Sequence, residues 1–281
     1  MRVLVVGQGP VARVLATSVA GVHRAGFAVR ERTAESRLVG TRRLRSARGV
    51  GRRSVDLVPA GERAAGWDIV ISTASPASPG VAELLAGVPV VAAVTQVPSE
   101  VELLRELAGD RPWGLVVPEF FAGGGDPTWF WPRARFTVAG PASDLLRSLF
   151  ARPQRTAPLA APLVSAATAM PVVAGLHAAG FDLTAARRSS RRLAAAATQA
   201  RAAVAAGFGG PSPRPVRSQA VRAALTVLPR LAPFDVPRYL RGHFGGHGQQ
   251  TILMLRDWAD LGRQHGLPTG ELEALLEQVP A

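Results

Sequence analysis

Short apolar runs and longer amphipathic stretches alternate through the first half of the chain. Residues 2–6 (RVLVV), 27–32 (FAVRER), 68–73 (DIVIST), 89–95 (PVVAAVT) and 114–118 (GLVVP) are brief, β-branched and bounded by turn residues, so they read as strands, and 54–58 as a shorter one. Residues 10–25, 80–86 and 99–108 carry helical spacing between them. Such alternation predicts a parallel sheet with helices on both faces. Beyond about residue 155 the period changes. Residues 159–178, 182–206, 215–228, 235–244, 249–264 and 269–278 read as helices, with a Gly- and Pro-rich loop at 207–215 (GFGGPSPRP). The expected organisation is an α/β domain over 1–155 and an all-helical domain over 156–281.

The turn after the first strand sharpens this picture. Gly7-Gln8-Gly9-Pro10-Val11-Ala12 has the form G-x-G-x-x-A between a strand and a helix. The first glycine permits a tight turn, the second lets a pyrophosphate approach the backbone, and the small third residue lets helix and strand pack. Pro10 suits the first turn of a helix. The pattern predicts a Rossmann-type doubly wound sheet that binds a dinucleotide; the plain alternative is an inherited fold whose ligand has been lost. The second strand ends in Arg30-Glu31-Arg32, and residues 30–53 hold nine arginines against Glu31 and Glu35. An arginine at that strand end favours the 2′-phosphate of NADP over the ribose hydroxyls of NAD. Arg32 and Arg30 are therefore the expected phosphate contacts, and most of the other arginines read as a solvated basic loop. Ala74, just after the 68–73 strand, and Gln96, just after the 89–95 strand, complete the expected cofactor set. Glycines alone do not separate NADP from FAD, but a short chain with a helical second half makes FAD the weaker choice.

Composition narrows the chemistry. The 281 residues include no cysteine, lysine or asparagine, and all 33 basic residues are arginine. Disulfides, thiolate nucleophiles, Cys-based metal sites and lysine acids are excluded. The net charge of +13 invites a nucleic-acid reading. No helix-turn-helix, RNA-binding or zinc-finger pattern is present, however, and the aromatics are not interleaved with the basic runs. An acidic small molecule or an acidic partner such as a carrier protein accounts for the charge as well. Arg187, Arg188, Arg191 and Arg192 form two i, i+4 basic pairs and are either a solvated face or that docking face. No apolar run reads as long and clean enough to span a bilayer; the Ala-rich stretch 193–206 is broken by Gln199 and Arg201. With no basic n-region or cleavage site at the N-terminus, a cytoplasmic protein is expected.

This arrangement resembles the ketopantoate reductase family, whose members are NADPH-dependent reductases with an N-terminal Rossmann domain and a C-terminal helical domain. The resemblance is carried by the opening turn, by residues 89–97 (PVVAAVTQV), by "AATAMPVVAGL" at 166–176, and by 239–268, which ends LGRQHGLP. It implies the same two-domain fold, a nicotinamide cofactor and a homodimer built through the helical domain. The chain departs from the family at the catalytic positions. The family's general acid, a lysine, falls between Ala161 and Leu163, and none of Ala161, Pro162 and Leu163 ionises. The family's asparagines fall near Ser165 and at Gln96 or Thr95, and its substrate-side glutamate at Gln250. The resemblance therefore implies the scaffold with a different substrate.

A reductase must protonate or polarise the oxygen or nitrogen that receives negative charge. The resemblance brings His243, His247, Gln250, Tyr239, Ser165 and Gln96 near the cleft where that happens, with His247 first because it lies beside the mapped glutamate position. A glycine-flanked surface histidine and a packed tyrosine are the plain alternatives. His243 and His247, four apart, suggest a metal, but flanking glycines and the lack of a third ligand argue for none. Residues 113–136 gather Trp113, Phe120, Phe121, Trp129, Phe130 and Trp131 around the glycine run 123–125, which reads as a loop lining a cleft for an apolar substrate, or as core. Glu119 precedes this cluster and is a candidate acid in apolar surroundings. Three functions are compatible with these residues: NADPH-dependent reduction of a carbonyl or imine other than ketopantoate, in specialised metabolism; a non-redox cyclase, dehydratase or isomerase on the same scaffold; and a non-catalytic binding protein.

Overall fold

In a computed structural model of the chain, residues 1–281 are described except 30–33, 48, 60–65, 246–247 and 281. The chain divides into two compact units, Met1–Pro158 and Leu159–Ala281. The first unit contains β1 (Arg2–Val6), α1 (Pro10–Val19), β2 (Arg24–Val29), β3 (Ser36–Arg43), β4 (Gly51–Pro59) and β5 (Ile69–Ser72). It continues through α2 (Val81–Ala86), β6 (Val90–Ala93), α3 (Pro98–Ala108) and β7 (Trp113–Pro118). It ends with β8 (Phe121–Gly123), β9 (Thr128–Trp131), β10 (Phe136–Ala139), α4 (Ser143–Ser148) and β11 (Arg155–Thr156).

The strands form one sheet in the order β11-β10-β7-β6-β5-β1-β2-β4-β3-β9-β8. Its centre is parallel, as the alternating pattern requires: β1 pairs β2 and β5, β5 pairs β6, and β6 pairs β7 in parallel. The sheet as a whole is mixed, because β3–β4, β8–β9 and β7–β10 pair antiparallel. Only Glu119 and Phe120 separate β7 from β8, yet seven strands lie between them in the hydrogen-bonded order. The sheet must therefore curl on itself. α1 fills the curl, packing against β1, β2, β3, β4, β8 and β9, with Ala12, Leu15, Ala16 and Val19 fully buried. These residues join Val3, Val5, Phe27, Ile69, Ile71, Phe136 and Phe150 in one apolar core.

Several expected elements are corrected. The helix expected over 10–25 stops at Val19, and the second strand starts early, at Arg24. Pairing wins there: the strand is hydrogen-bonded in parallel to β1 on one side and β4 on the other, and Arg24 is tied to Asp56 of β4 at 2.6 Å. In place of a basic loop, β3 and β4 pair antiparallel from Ser36↔Asp56 to Thr41↔Gly51. Their arginines are exposed, and the buried positions of the two strands are Val39, Gly40, Val55, Leu57 and Val58. The aromatic stretch is likewise a pair of strands, β8 and β9, with Trp129, Phe130 and Trp131 inside β9.

The second unit is helical: α5 (Ala160–Ala178), α6 (Leu183–Arg188), α7 (Ser190–Gly207), α8 (Ser218–Leu231), α9 (Val236–Phe244), α10 (Gly248–Gln264) and α11 (Gly270–Leu276). The single helix expected over 182–206 breaks at Ser189, and the Asp182 carboxylate caps the first piece by accepting from Thr184 N (2.7 Å) and Ala185 N (3.3 Å). Against expectation, one helix among the described residues is long and apolar enough to cross a membrane, α5. It is the central helix of this unit, packed on α6, α7, α9, α10 and α11. Its closest approach is to α7, where a Cβ at Gly175 would lie 2.2 Å from Leu193 Cδ2. Fold class is thus as expected: an α/β sheet domain followed by an all-helical one.

Candidate functional site

The carboxyl ends of β1, β5 and β6 stand side by side, with Val6 opposite Ser72 and Ser72 opposite Ala93. From β1 the chain moves first to β2 on one side and later to β5 on the other. The gap above β1 and β5 is therefore a topological switch point, where open α/β sheets bind ligands. Gly7 turns there with φ +107°. Thr73, following β5, staples the turn to its neighbour: its N–H (2.8 Å) and Oγ1 (3.0 Å) both donate to the Val6 carbonyl. A Cβ on Gly7 would meet Thr73 Oγ1 at 2.3 Å and come within 3.8 Å of Ala74 N, so Ala74 does border the turn.

Gly9 is the N-cap of α1, extended at φ −65° and ψ 173°, and no side chain caps the helix. Pro10 has no N–H, while Val11 and Ala12 present N–H groups that an α-helix leaves without intrahelical partners. Arg13 N is already bonded to Gly9 O at 3.1 Å. Nothing lies within 4 Å of a Cβ built on Gly9, so the approach is open. Ala12 is fully buried, as the third position of the motif requires. The uncapped donors, the open Gly9 face and the positive end of the helix fit a pyrophosphate.

Two arginines that the motif does not mark stand at this turn. Arg13 Nε donates to Gln8 O (3.2 Å), and its Nη1 donates to Gly125 O (3.0 Å), tying the turn to the β8–β9 connection. Arg37 of β3 joins Gln8, Arg13, Phe27, Leu38, Val39, Leu57 and Asp126 around a small cavity of about 10 Å³, space for one water. Arg30 and Arg32, the expected phosphate contacts, lie outside the described residues.

Next to the switch point, Gln96 is half-buried and Thr95 is buried. Thr95 Oγ1 donates to the carboxylate of Glu100, itself 5% exposed, and accepts from Val97 N at 3.2 Å. This buried pair at the start of α3 went unmarked in the sequence: the two residues are five apart, outside the i, i+3 spacing of a helix capping box, and the N-cap is Val97. Glu119 is corrected as an acid in apolar surroundings: it is exposed, accepts from Thr137 Oγ1 and lies 3.9 Å from Arg155 Nη1. It leaves β7 just where the chain crosses to β8, on the solvent side of the aromatic cluster. That cluster divides between core and strand, with Phe136 fully buried, Trp113 buried and Phe120 packed edge-on to Phe136 at 5.2 Å.

In the second unit, Ser165 is exposed on α5 and Gln250 exposed on α10. Tyr239 and His243 do share a face of α9, their rings stacked 5.6 Å apart, and Phe234 lies 5.2 Å from the Tyr239 ring. His247 lies outside the described residues. The first turn of α5 holds half-buried Ala161 and buried Pro162 and Leu163. Of the four arginines, Arg187 turns inward onto Leu183 O and Thr184 Oγ1, while Arg188, Arg191 and Arg192 are exposed. Among the described residues no group of three or more His, Asp or Glu is placed to hold a metal ion.

No known family and no curated relative matches the chain by sequence. By structure it has the fold of the ketopantoate reductases. The 2-dehydropantoate 2-reductase of Geobacter metallireducens superposes with a TM-score of 0.74 over 99% of both chains at 13% identity. That of Methylococcus capsulatus gives 0.72 over 99% of this chain and 95% of the other at 15% identity. A D-mandelate dehydrogenase in complex with NADH gives 0.70 over 99% and 97% at 12% identity. The likeness runs through both units, each matched along its length.

Proposed function

We propose that the protein is an NADPH-dependent reductase of a carbonyl or imine substrate other than ketopantoate. The observation that carries this reading is the uncapped, open α1 N-terminus behind Gly7 and Gly9, set at the switch point of a fold shared with nicotinamide-dependent reductases. A bound nicotinamide cofactor would supply a hydride to the substrate carbon. The chain's own residues do the rest. The N–H groups of Val11 and Ala12 hold the pyrophosphate, Gly9 leaves room for it, and Thr73 fixes the turn that aims them. Arg13 and Arg37, with Arg30 and Arg32, supply positive charge for a 2′-phosphate, which favours NADPH over NADH. His247, Tyr239, Ser165 and Gln250 are the candidates to protonate or polarise the atom that receives negative charge, since no lysine exists in the chain. A homodimer is part of this reading, supported by a dimeric ketopantoate reductase from Staphylococcus aureus of the same fold (TM-score 0.69, 13% identity, 99% and 97% covered). The arginine face of α6 and α7 suits an acidic carrier protein as a further partner.

A second reading is a non-redox enzyme on this scaffold: the resemblance maps the family's acid to the first turn of α5, where Pro162 and Leu163 are buried. Gly9→Trp separates the two. It fills the open face of the turn and is expected to abolish NADPH binding and turnover together. Turnover that survives the substitution would overturn the reductase reading and leave the non-redox one.

A further inference from the structure

The curl of the sheet leaves a second cavity beside α1, of about 310 Å³, lined by residues of the first unit alone. It is separate from the glycine turn. Its α1 wall is Val14, Thr17 and Ser18, and Gly21 follows the helix. Ser18 is nine residues beyond Gly9, about 13 Å along the axis at 1.5 Å per residue. Its sheet wall is Thr41 at the far end of β3 and Gly51 and Arg53 at the start of β4, which is the opposite end of the parallel strands from the switch point.

The walls are chemically divided. Phe130 and Phe150 form the apolar side, and both are pinned from behind: Phe130 edge-on to Phe120 at 6.2 Å, Phe150 stacked on Phe136 at 5.1 Å. Arg53 and Arg152 form the basic side. Arg53 spends one N–H on the Arg52 carbonyl (2.9 Å), and its Nε lies 4.0 Å from the Cβ position at Gly21, so it folds over the end of α1. Neither arginine has a carboxylate partner among the described residues. The backbone carrying Arg152 is fixed by Gln154, 9% exposed, whose Oε1 accepts from Phe136 N (2.7 Å) and whose Nε2 donates to Arg152 O (3.0 Å). Between the two sides, Thr17 Oγ1 already donates to Arg13 O at 2.9 Å or Val14 O at 3.1 Å. The Thr41 hydroxyl, 3.4 Å from it, therefore donates its one proton to Thr17 Oγ1.

We infer that this cavity binds a small oxyanion carried on an apolar or aromatic body, a carboxylate or a phosphate ester. The volume is at the lower end of small-molecule sites. Two guanidiniums without a carboxylate partner among the described residues, whose planar donors match both oxyanions, line the same cavity as two phenylalanines that take the apolar part. The inference does not depend on the reductase reading.

The test titrates the full chain by calorimetry with 2-naphthoate, 2-naphthyl phosphate and the neutral isostere 2-naphthamide, with and without saturating NADPH. At least one of the two anions is expected to bind, the amide not measurably, and NADPH is expected to leave the affinity unchanged. The tighter anion identifies the oxyanion. In Arg53→Gln/Arg152→Gln binding is expected to weaken about tenfold or more, whereas Arg53→Lys/Arg152→Lys, which keeps the charge, retains most of it. Equal binding of amide and anions, displacement by NADPH, an unchanged affinity in the glutamine pair, or no binding of either anion would each overturn the inference.

Discussion

Gly7→Ala is expected to destabilise the first unit by about 2–4 kcal/mol, while Gly9→Ala, two residues on, costs under about 1 kcal/mol. The difference follows from local geometry. At φ +107° an L side chain is strained, a cost of about 1–3 kcal/mol. The new Cβ would also sit 2.3 Å from Thr73 Oγ1. Thr73 cannot yield without weakening its bond to Val6 O, worth about 0.5–1.5 kcal/mol. Gly9, at φ −65° with nothing near its Cβ position, meets neither penalty. Thermal melts of the single variants are expected to place Gly7→Ala about 4–16 °C below wild type, on the scale of a 150–250-residue protein. Thr73→Ala adds a cycle. Alone it loses the Val6 bond; in the Gly7→Ala background it removes the clash, so the double variant should melt no lower than Gly7→Ala. A Gly7→Ala protein within about 0.5 kcal/mol of wild type, or strictly additive effects, would refute the account of the turn.

Other consequences can be measured in the same way. Gly175→Ala should destabilise the helical unit by about 1–3 kcal/mol through overpacking on Leu193, and Leu193→Ala should partly rescue it in melts of the double variant. Glu100→Ala, which leaves the buried Thr95 hydroxyl without its acceptor, should cost about 1–3 kcal/mol in denaturant unfolding, and Glu100→Gln less. Asp182→Ala should lose about 1 kcal/mol by stripping the α6 cap, measured by urea midpoint at constant slope. Arg13→Ala, which frees Gly125 O and the Gln8 carbonyl, should weaken NADPH more than it lowers the melting temperature, as read by titration beside a melt.

What could be read from the sequence was what is locally encoded. β1, the turn and α1 are contiguous and each is set by local pattern, so Arg2–Val19 was legible in type, although the helix was expected six residues longer. β3 was not, because Arg37, Arg42 and Arg43 occupy its outward positions and only Val39 and Gly40 are buried; the pairing with β4 supplies the order that local pattern lacks. β8 and β9 hid behind Gly123–Gly125, since the curl that joins β9 to β3 is a long-range event. The break at Ser189 carries no proline or glycine signal. At the site, the glycines announced themselves, but the roles of Arg13, Arg37, Thr73 and the Thr95–Glu100 pair depend on strands distant in sequence meeting at one edge. Glu119 was misread for the same reason: its aromatic neighbours in sequence turn into the core while its own side chain meets solvent, Thr137 and Arg155.

On the proposed function, the α1 N-terminus behind Gly7 and Gly9 holds a nicotinamide nucleotide. Calorimetric titration of the purified protein with NADPH, NADH and FAD tests it most directly, after any co-purifying nucleotide has been removed. The account predicts saturable binding of NADPH, weaker binding of NADH, none of FAD, and loss of all binding in Gly9→Trp. No NADPH binding at millimolar concentration would contradict it and leave the turn as inherited architecture.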